Sequence, residues 1–99
     1  MAYKVIIKPL VFSDAEDAFK WYNKKVEGLG NRFYNQFLIT IETIESNPFA
    51  FSFLKAPIRR CKMKTFPYKI YYIVEEETIF ILGLAHSKRS NAYVKRRLG

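Results

Sequence analysis

Between residues 13 and 48 the apolar positions recur every three or four residues; outside that stretch they alternate or run together. The first pattern predicts helices and the second strands, because a helix returns a side chain to one face every ~3.6 residues and a strand every two. "YKVIIK" is short, β-rich and closed by Pro9, which predicts a first strand over residues 3–8. Ser13 fits an N-cap, with Glu16 completing a capping box. Ala15, Ala18, Phe19, Tyr22 and Val26 then form one helical face, and Gly28 and Gly30 end the helix. A second helix starts near Asn31. Phe33, Phe37, Ile41 and Ile44 line its face, Tyr34 and Leu38 widen it, and Pro48 stops it by pushing Asn47 out of helical geometry. Two helices joined by "GLG" predict an antiparallel hairpin.

The remainder reads as strands. Residues 49–57, "FAFSFLKAP", form an apolar connector whose Phe49, Phe51 and Phe53 tuck under the sheet. Over residues 58–64 Cys61 and Met63 fall on one side and Arg60, Lys62 and Lys64 on the other. "PYKIYYIV" predicts a strand from 68 to 74, "EEET" a solvated turn, and "IFILGLAH" a central strand over 79–86, apolar enough to be covered on both faces. Ser90 caps a short last helix, "NAYVKRR". The order is strand, helix, helix, then three strands. That is an α+β fold: an N-terminal strand, an antiparallel two-helix hairpin packed on one sheet face, a three-stranded antiparallel meander, and a short C-terminal helix or tail.

With 99 residues, one domain spanning 1–99 is expected, and 17% aromatic content gives so short a chain a core. The single cysteine, Cys61, excludes an internal disulfide and reads as a buried, inert thiol. The apolar run at the N-terminus is too short for a signal peptide or membrane span, so a cytoplasmic protein with no membrane partner is expected. No metal-ligand cluster, glycine-rich phosphate loop or serine–histidine–acid spacing is present, so no metal or cofactor is expected.

Charge changes the picture more. Residues 1–54 hold six bases and six acids; residues 55–99 hold eleven bases and only Glu75, Glu76 and Glu77. The whole net charge of +8 lies in the second half. Such a one-sided excess points to nucleic acid or an acidic protein partner. Arg60, Lys62 and Lys64 share a sheet face, and Lys69 joins them if the two strands pair, making a surface for a polyanion. Arg59 points the other way and could pair with Glu45. The C-terminal end adds His86, Lys88, Arg89, Lys95, Arg96 and Arg97, with Tyr93 placed to stack on a base. His86 titrates near neutrality when unperturbed and could move a proton, although a structural role at a strand end is the commoner one.

Taken in order, Trp21–Tyr22, "GLGxRF" from Gly28 to Phe33, Asn47–Pro48, "IRR", "FPYKIYY", and His86 with Arg89 three residues on resemble the RelE/ParE superfamily, the toxin halves of bacterial type II toxin–antitoxin modules, often labelled plasmid stabilisation proteins. The resemblance covers nearly the whole chain and implies the fold already deduced. It also implies a cognate antitoxin, acidic where it meets the basic half, with which the toxin could form a hetero-oligomer. Two activities are implied. RelE-like members cleave mRNA in the ribosomal A site without a metal; their sheet bases fall on Arg60 and Lys62, a further arginine on Lys69 and a tyrosine on Tyr93. Their strand-end arginine falls on Ser87, a departure that removes a cation unless His86 or Arg89 reaches in. Lys62 or His86 would then be the base, and Arg60 and Lys69 the phosphate clamp. ParE-like members are similar to this chain in "IRR", "FPY" and "H..R"; those characterised poison DNA gyrase and cut no RNA.

The resemblance is closer to the ParE-like branch. The expectation is therefore a gyrase inhibitor, with a ribosome-dependent mRNA interferase as the alternative and a non-toxic nucleic-acid or protein-binding module of the same fold as the second. Gyrase, or the ribosome with its mRNA, would be the target. The target surface is expected to use Arg59, Arg60, Lys62, Lys64, Lys69, Lys88, Arg89, Arg96 and Arg97.

Overall fold

The computed structural model describes residues 3–98; residues 1, 2 and 99, the ends of the expected domain, lie outside the described residues. Strand β1 runs over Lys4–Ile7 and helix α1 over Pro9–Lys25. The helix starts earlier than a cap at Ser13 requires. Lys8 is extended, and Pro9 takes the first helical position, where its missing N–H costs nothing and its fixed φ suits the helix. Ser13 therefore sits inside α1.

Helix α2 spans Leu29–Ser46, starting two residues before the expected Asn31, so that Gly28 is its N-cap and Gly30 lies in its first turn, each glycine having a physical reason. Gly28 adopts φ 84°, a left-handed conformation that favours glycine. Gly30 lies where a Cβ would overlap the Phe19 carbonyl oxygen, and its N–H donates to Asn23 Oδ1 at 2.7 Å. The helices can approach only because this position lacks a side chain. Ala15 and Ala18 of α1 and Phe33, Phe37, Ile41 and Ile44 of α2 are buried against the sheet, as their spacing predicts, and the earlier start of α1 adds the buried Val11. Val26 and Leu38 do not join them. Val26 follows the last turn of α1 and is exposed, and Leu38 faces solvent from the far side of α2.

The chain then forms β2 (Phe53–Lys55), β3 (Ile58–Lys62), β4 (Tyr68–Glu75) and β5 (Thr78–His86), followed by α3 (Asn91–Leu98). Ser90 caps α3 through its hydroxyl, which accepts from the Tyr93 N–H at 3.0 Å. The five strands lie in the order β1-β5-β4-β3-β2; β1 runs parallel to β5 and the other pairs are antiparallel. The meander β3–β4–β5 and the hairpin packed on one face agree with the fold class expected. Strand β2 was not expected; it adds an edge to β3.

Phe49 and Phe53 are exposed rather than tucked under the sheet, while Phe51 is half-buried against the core. The exposed rings serve Arg59 instead. Its guanidinium lies 4.0 Å from the Phe53 ring centroid and 5.4 Å from that of Phe49, and donates to the Phe51 carbonyl at 2.7 Å. It does not pair with Glu45. Across from Arg59, the buried Tyr72 hydroxyl donates to the Pro48 carbonyl at 2.8 Å, tying the end of α2 to the sheet.

Strand β5 is covered along its length by the helical hairpin on one face, and on the other only around Gly83, where the last turn of α3 lies over it. Ile79, Ile81 and Leu84 are buried, whereas Phe80 and Leu82 are half-exposed. On the helix side the buried positions are odd up to 81 and even at 84, while the buried Gly83 lies on the other face with Tyr71. A bulge causes the change: Tyr72 pairs with Ile81 and Tyr71 with Gly83, leaving Leu82 as the extra residue.

Candidate functional site

The pairing sorts the candidate side chains onto two faces. Cys61 and Met63 are buried toward the helices, and burial pushes the Cys61 thiol up to about 11, so it is protonated at neutral pH. On the open face Lys62 lies directly across from Lys69, and Arg60 across from Tyr71. Two ammonium groups side by side repel each other, so this pair opposes folding. Lys62 and Lys64 are exposed and Arg60 is half-buried; Lys64 lies beyond the end of β3. Tyr71 is buried within the cationic surface, and burial raises its phenol pKa against the opposing field of Arg60. The last turn of α3 lies over Gly83, where a Cβ would overlap the Leu98 side chain. That overlap explains the glycine beside Tyr71.

His86 lies elsewhere. It pairs with Tyr68, which follows the buried parity of Ile70 and Tyr72, so the bulge turns His86 toward the helices and away from Lys69. Its ring meets Tyr68 edge-on at 5.1 Å, and Nδ1 accepts from the Lys88 backbone N–H at 3.1 Å. In the neutral ring the proton is therefore on Nε2. His86 borders a cavity of about 720 Å³ between α1, the ends of β4 and β5, and α3. Trp21 and Tyr22, Pro67 and Tyr68, His86 and Arg89, and Tyr93 all line it. Three fragments far apart in sequence, "WY", "FPY" and "H..R", thus meet at one place.

Aromatic packing builds the cavity floor. Tyr22 stacks on the buried Phe33 at 5.4 Å and meets Phe66 at 5.0 Å, and Phe33 meets Tyr68 at 5.1 Å. Burial raises the phenol pKa of both tyrosines; at Tyr68 the neighbouring Tyr22 adds to the shift and Arg89 opposes it. Both phenols are therefore neutral donors near pH 7. At the rim the Arg89 guanidinium lies 4.6 Å from the Tyr93 ring centroid. Asp14 is committed to Arg97 at 2.7 Å, which holds α3 to α1. Asp17 has no ion-pair partner among the described residues.

The expected surface is thus divided. Arg60, Lys62 and Lys69 stand together on the open face; His86, Lys88, Arg89 and Tyr93 border the cavity; Arg59 and Arg97 are engaged within the fold. Arg96 is exposed on α3. Ser87 N–H donates to the Pro67 carbonyl at 2.7 Å, and its hydroxyl oxygen is buried without a hydrogen-bond partner. Sequence reasoning did not place Asp14, Asp17, Trp21, Tyr22 or Tyr68 at a site. The helical spacing of Asp14, Asp17 and Trp21, which puts them on one side of α1, was the signal that could have done so.

A sheet of this order with a helical hairpin on one face and a short helix at the end of the last strand is the architecture of the RelE/ParE superfamily of toxins. The family model of the ParE toxin of type II toxin–antitoxin systems matches residues 5–91, and the chain belongs to that family. A chain of the chromosomal ParDE toxin–antitoxin system from P. aeruginosa superimposes with a TM-score of 0.78 at 10% identity, covering 88% of this chain and 98% of that one. The isolated E. coli RelE toxin gives 0.64 at 17% identity, covering 96% and 95% respectively. The archaeal RelE–RelB complex from Pyrococcus horikoshii OT3 gives 0.58 at 20%, covering 91% of this chain and all of that one. At such identities the likeness is one of fold. Among curated protein sequences none matches significantly.

Proposed function

We propose that this member of the ParE toxin family inhibits growth by obstructing DNA gyrase, and that an antitoxin protein holds it inactive. The observation that carries the gyrase reading is the separation of the groups a nuclease must combine. Cleavage of RNA by its own 2′-hydroxyl needs a base, cations and an acid around a single phosphate, each within hydrogen-bond reach. Here Arg60, Lys62 and Lys69 stand on one face of the sheet and His86 on the other. Ser87 occupies the position where the resemblance places the nuclease branch's arginine, and its hydroxyl contributes no charge. A gyrase inhibitor makes and breaks no bond, so it needs surfaces rather than a catalytic constellation.

Induction without an antitoxin tests this. A DNA-damage response with cleaved plasmid is expected, and an immediate stop in translation with A-site cuts in mRNA would refute it. Growth unaffected by induction would instead indicate a non-toxic binding module.

The nuclease reading has one observation in its favour. Arg60, Lys62 and Lys69 share one face of the β3–β4 pair, so three cations are gathered on a single surface. If cuts appear and Lys69→Ala or Tyr93→Ala abolishes them while Ser87→Arg speeds them, this second reading replaces the first.

The antitoxin reading rests on the family and on the partner proteins named in the ParDE and RelE–RelB structures. Its chemistry follows from charge: acidic where it covers residues 55–99, with a segment that folds on binding. Binding should weaken as salt rises, leaving a salt-resistant apolar remainder. Affinity indifferent both to salt and to Arg60→Glu with Lys62→Glu would refute that footprint.

A further inference from the structure

The cavity of about 720 Å³ beside His86 falls in the ~300–1,000 Å³ range of small-molecule sites, and its walls are selective in three ways. Trp21 is about half exposed, with the Lys25 ammonium 5.0 Å from its ring centroid, and Tyr93 is half-buried, with Arg89 at 4.6 Å. A planar group would stack on either ring by displacing these flexible side chains or on the surface they leave uncovered. Lys88 and Arg89 stand exposed at the rim, where an anionic group would be held. Asp17 lies on the same wall as Trp21 and is exposed, with no cation paired to it among the described residues. Asp14 is neutralised by Arg97, so the wall presents one free carboxylate and the rim two cations.

We infer that this cavity binds an unstacked guanine nucleotide, with the base against Trp21 and Tyr93, its N1–H and exocyclic amino group donating to Asp17, and its phosphate at Lys88 and Arg89. A carboxylate accepts two parallel N–H donors from guanine but only one amino group from adenine or cytosine, and thymine or uracil offers it a single N3–H flanked by two repelling carbonyl oxygens. An arginine side chain from a partner protein would satisfy Asp17 but would bring a third cation beside Lys88 and Arg89. The neutral phenols of Tyr22 and Tyr68 at the floor can donate to ring or carbonyl acceptors. The same chemistry is offered by a free nucleotide and by a guanine splayed out of a single strand; base–aromatic stacking supports either. This inference goes beyond growth inhibition and does not depend on which target is inhibited.

Trp21 is the single tryptophan of the chain, so its fluorescence reports on this wall alone. The full chain is titrated with guanosine monophosphate, with a short single strand carrying one guanine among thymines, and with the same strand abasic at that position. Quenching by the guanine ligands and not by the abasic strand is expected, and the tighter of the two guanine ligands identifies the source. Replacing guanine by adenine or thymine should weaken binding roughly fivefold or more, and Asp17→Asn should erase that preference. Tyr93→Ala should weaken every base-bearing strand about equally, by roughly fivefold or more. Asp17 is exposed, so an unchanged melting temperature verifies that its variant is folded.

Equal quenching by abasic and guanine strands overturns the inference, as does a guanine preference that survives Asp17→Asn, or quenching by an arginine-containing peptide and by no nucleotide. A chain that stops growth yet binds no base refutes the cavity assignment and leaves the toxin reading intact. A chain that binds guanine yet leaves growth unaffected does the reverse.

Discussion

Arg59 and Arg60 are adjacent in the chain and belong to different regions of the molecule. Arg59 faces the helix side, lies against Phe49 and Phe53 and donates to the Phe51 carbonyl. Arg60 faces the open side, across from Tyr71 and beside the Lys62–Lys69 pair. On the helix side polar groups are spent on other groups of the same chain: Tyr72 on Pro48, Asn23 on Gly30, Arg97 on Asp14. On the open side cations stand next to cations. Folding alone does not favour that arrangement, and we propose that the open face meets a partner outside the chain. The cavity lies between these extremes, with an aromatic floor from the core and a charged rim.

The strongest test of this contrast removes Phe33, the fully buried ring on which Tyr22 and Tyr68 rest. Phe33→Ala should cost ~3–5 kcal/mol, measured by urea unfolding, and should deform the cavity without touching a charge. A loss below about 1 kcal/mol would mean the helix side is not the stabilising region.

Alkaline pH acts on the same side. Burial raises the Cys61 thiol to about 11 and the Tyr72 phenol to about 12, with Cys61 adding to the latter and Arg59 opposing it. Both groups hold protons in the folded chain that the unfolded chain releases from about pH 9 upward. Their contribution to stability is therefore complete below about pH 9 and is lost as pH rises through about 11 and about 12. Melting temperatures should fall across that window, and Cys61→Ala should blunt the onset of the fall.

The two arginines sharpen the comparison further. Arg59→Ala leaves the Phe51 carbonyl without its charged donor and the two rings without their cation, and should cost about 1–3 kcal/mol. Arg60→Ala should change stability by less than about 0.5 kcal/mol while reducing polyanion affinity. Equal losses in unfolding experiments would erase the distinction between the faces.

The smallest effect has the opposite sign. Lys62→Glu turns a like-charge cross-strand pair into an opposite-charge one, and should stabilise the fold by about 0.2–1 kcal/mol. It should also weaken binding to single-stranded nucleic acid and lower the salt dependence of that binding, since each neutralised phosphate contributes to the slope. A variant that is more stable and binds less well is the signature of a surface not selected for folding.

Much of this was legible in sequence because it depends on local periodicity. The faces of α1 and α2, the turn at "GLG", the inward Cys61 and Met63, the cap at Ser90 and the basic second half all follow from counting residues along one segment. The order of "WY", "GLGxRF", "FPY" and "H..R" carried the family. Single residues whose surroundings come from elsewhere in the chain were not legible in this way. Arg59 looked like a partner for Glu45 until the connector placed two phenylalanine rings and a carbonyl around it. Strand β2 was hidden because three residues alternate too briefly to register.

His86 is the clearest case. Counting by two from Ile79 and Ile81 puts His86 on the open face, beside Lys69. The bulge at Leu82 adds a residue to β5 that β4 does not match, and every side chain beyond it changes sides. A bulge belongs to the pairing of two strands, so no periodicity within one strand announces it. Local periodicity carried every element but β2, together with the charge and the family; the face that each candidate side chain occupies came only with folding, because it depends on registers between segments that meet nowhere else.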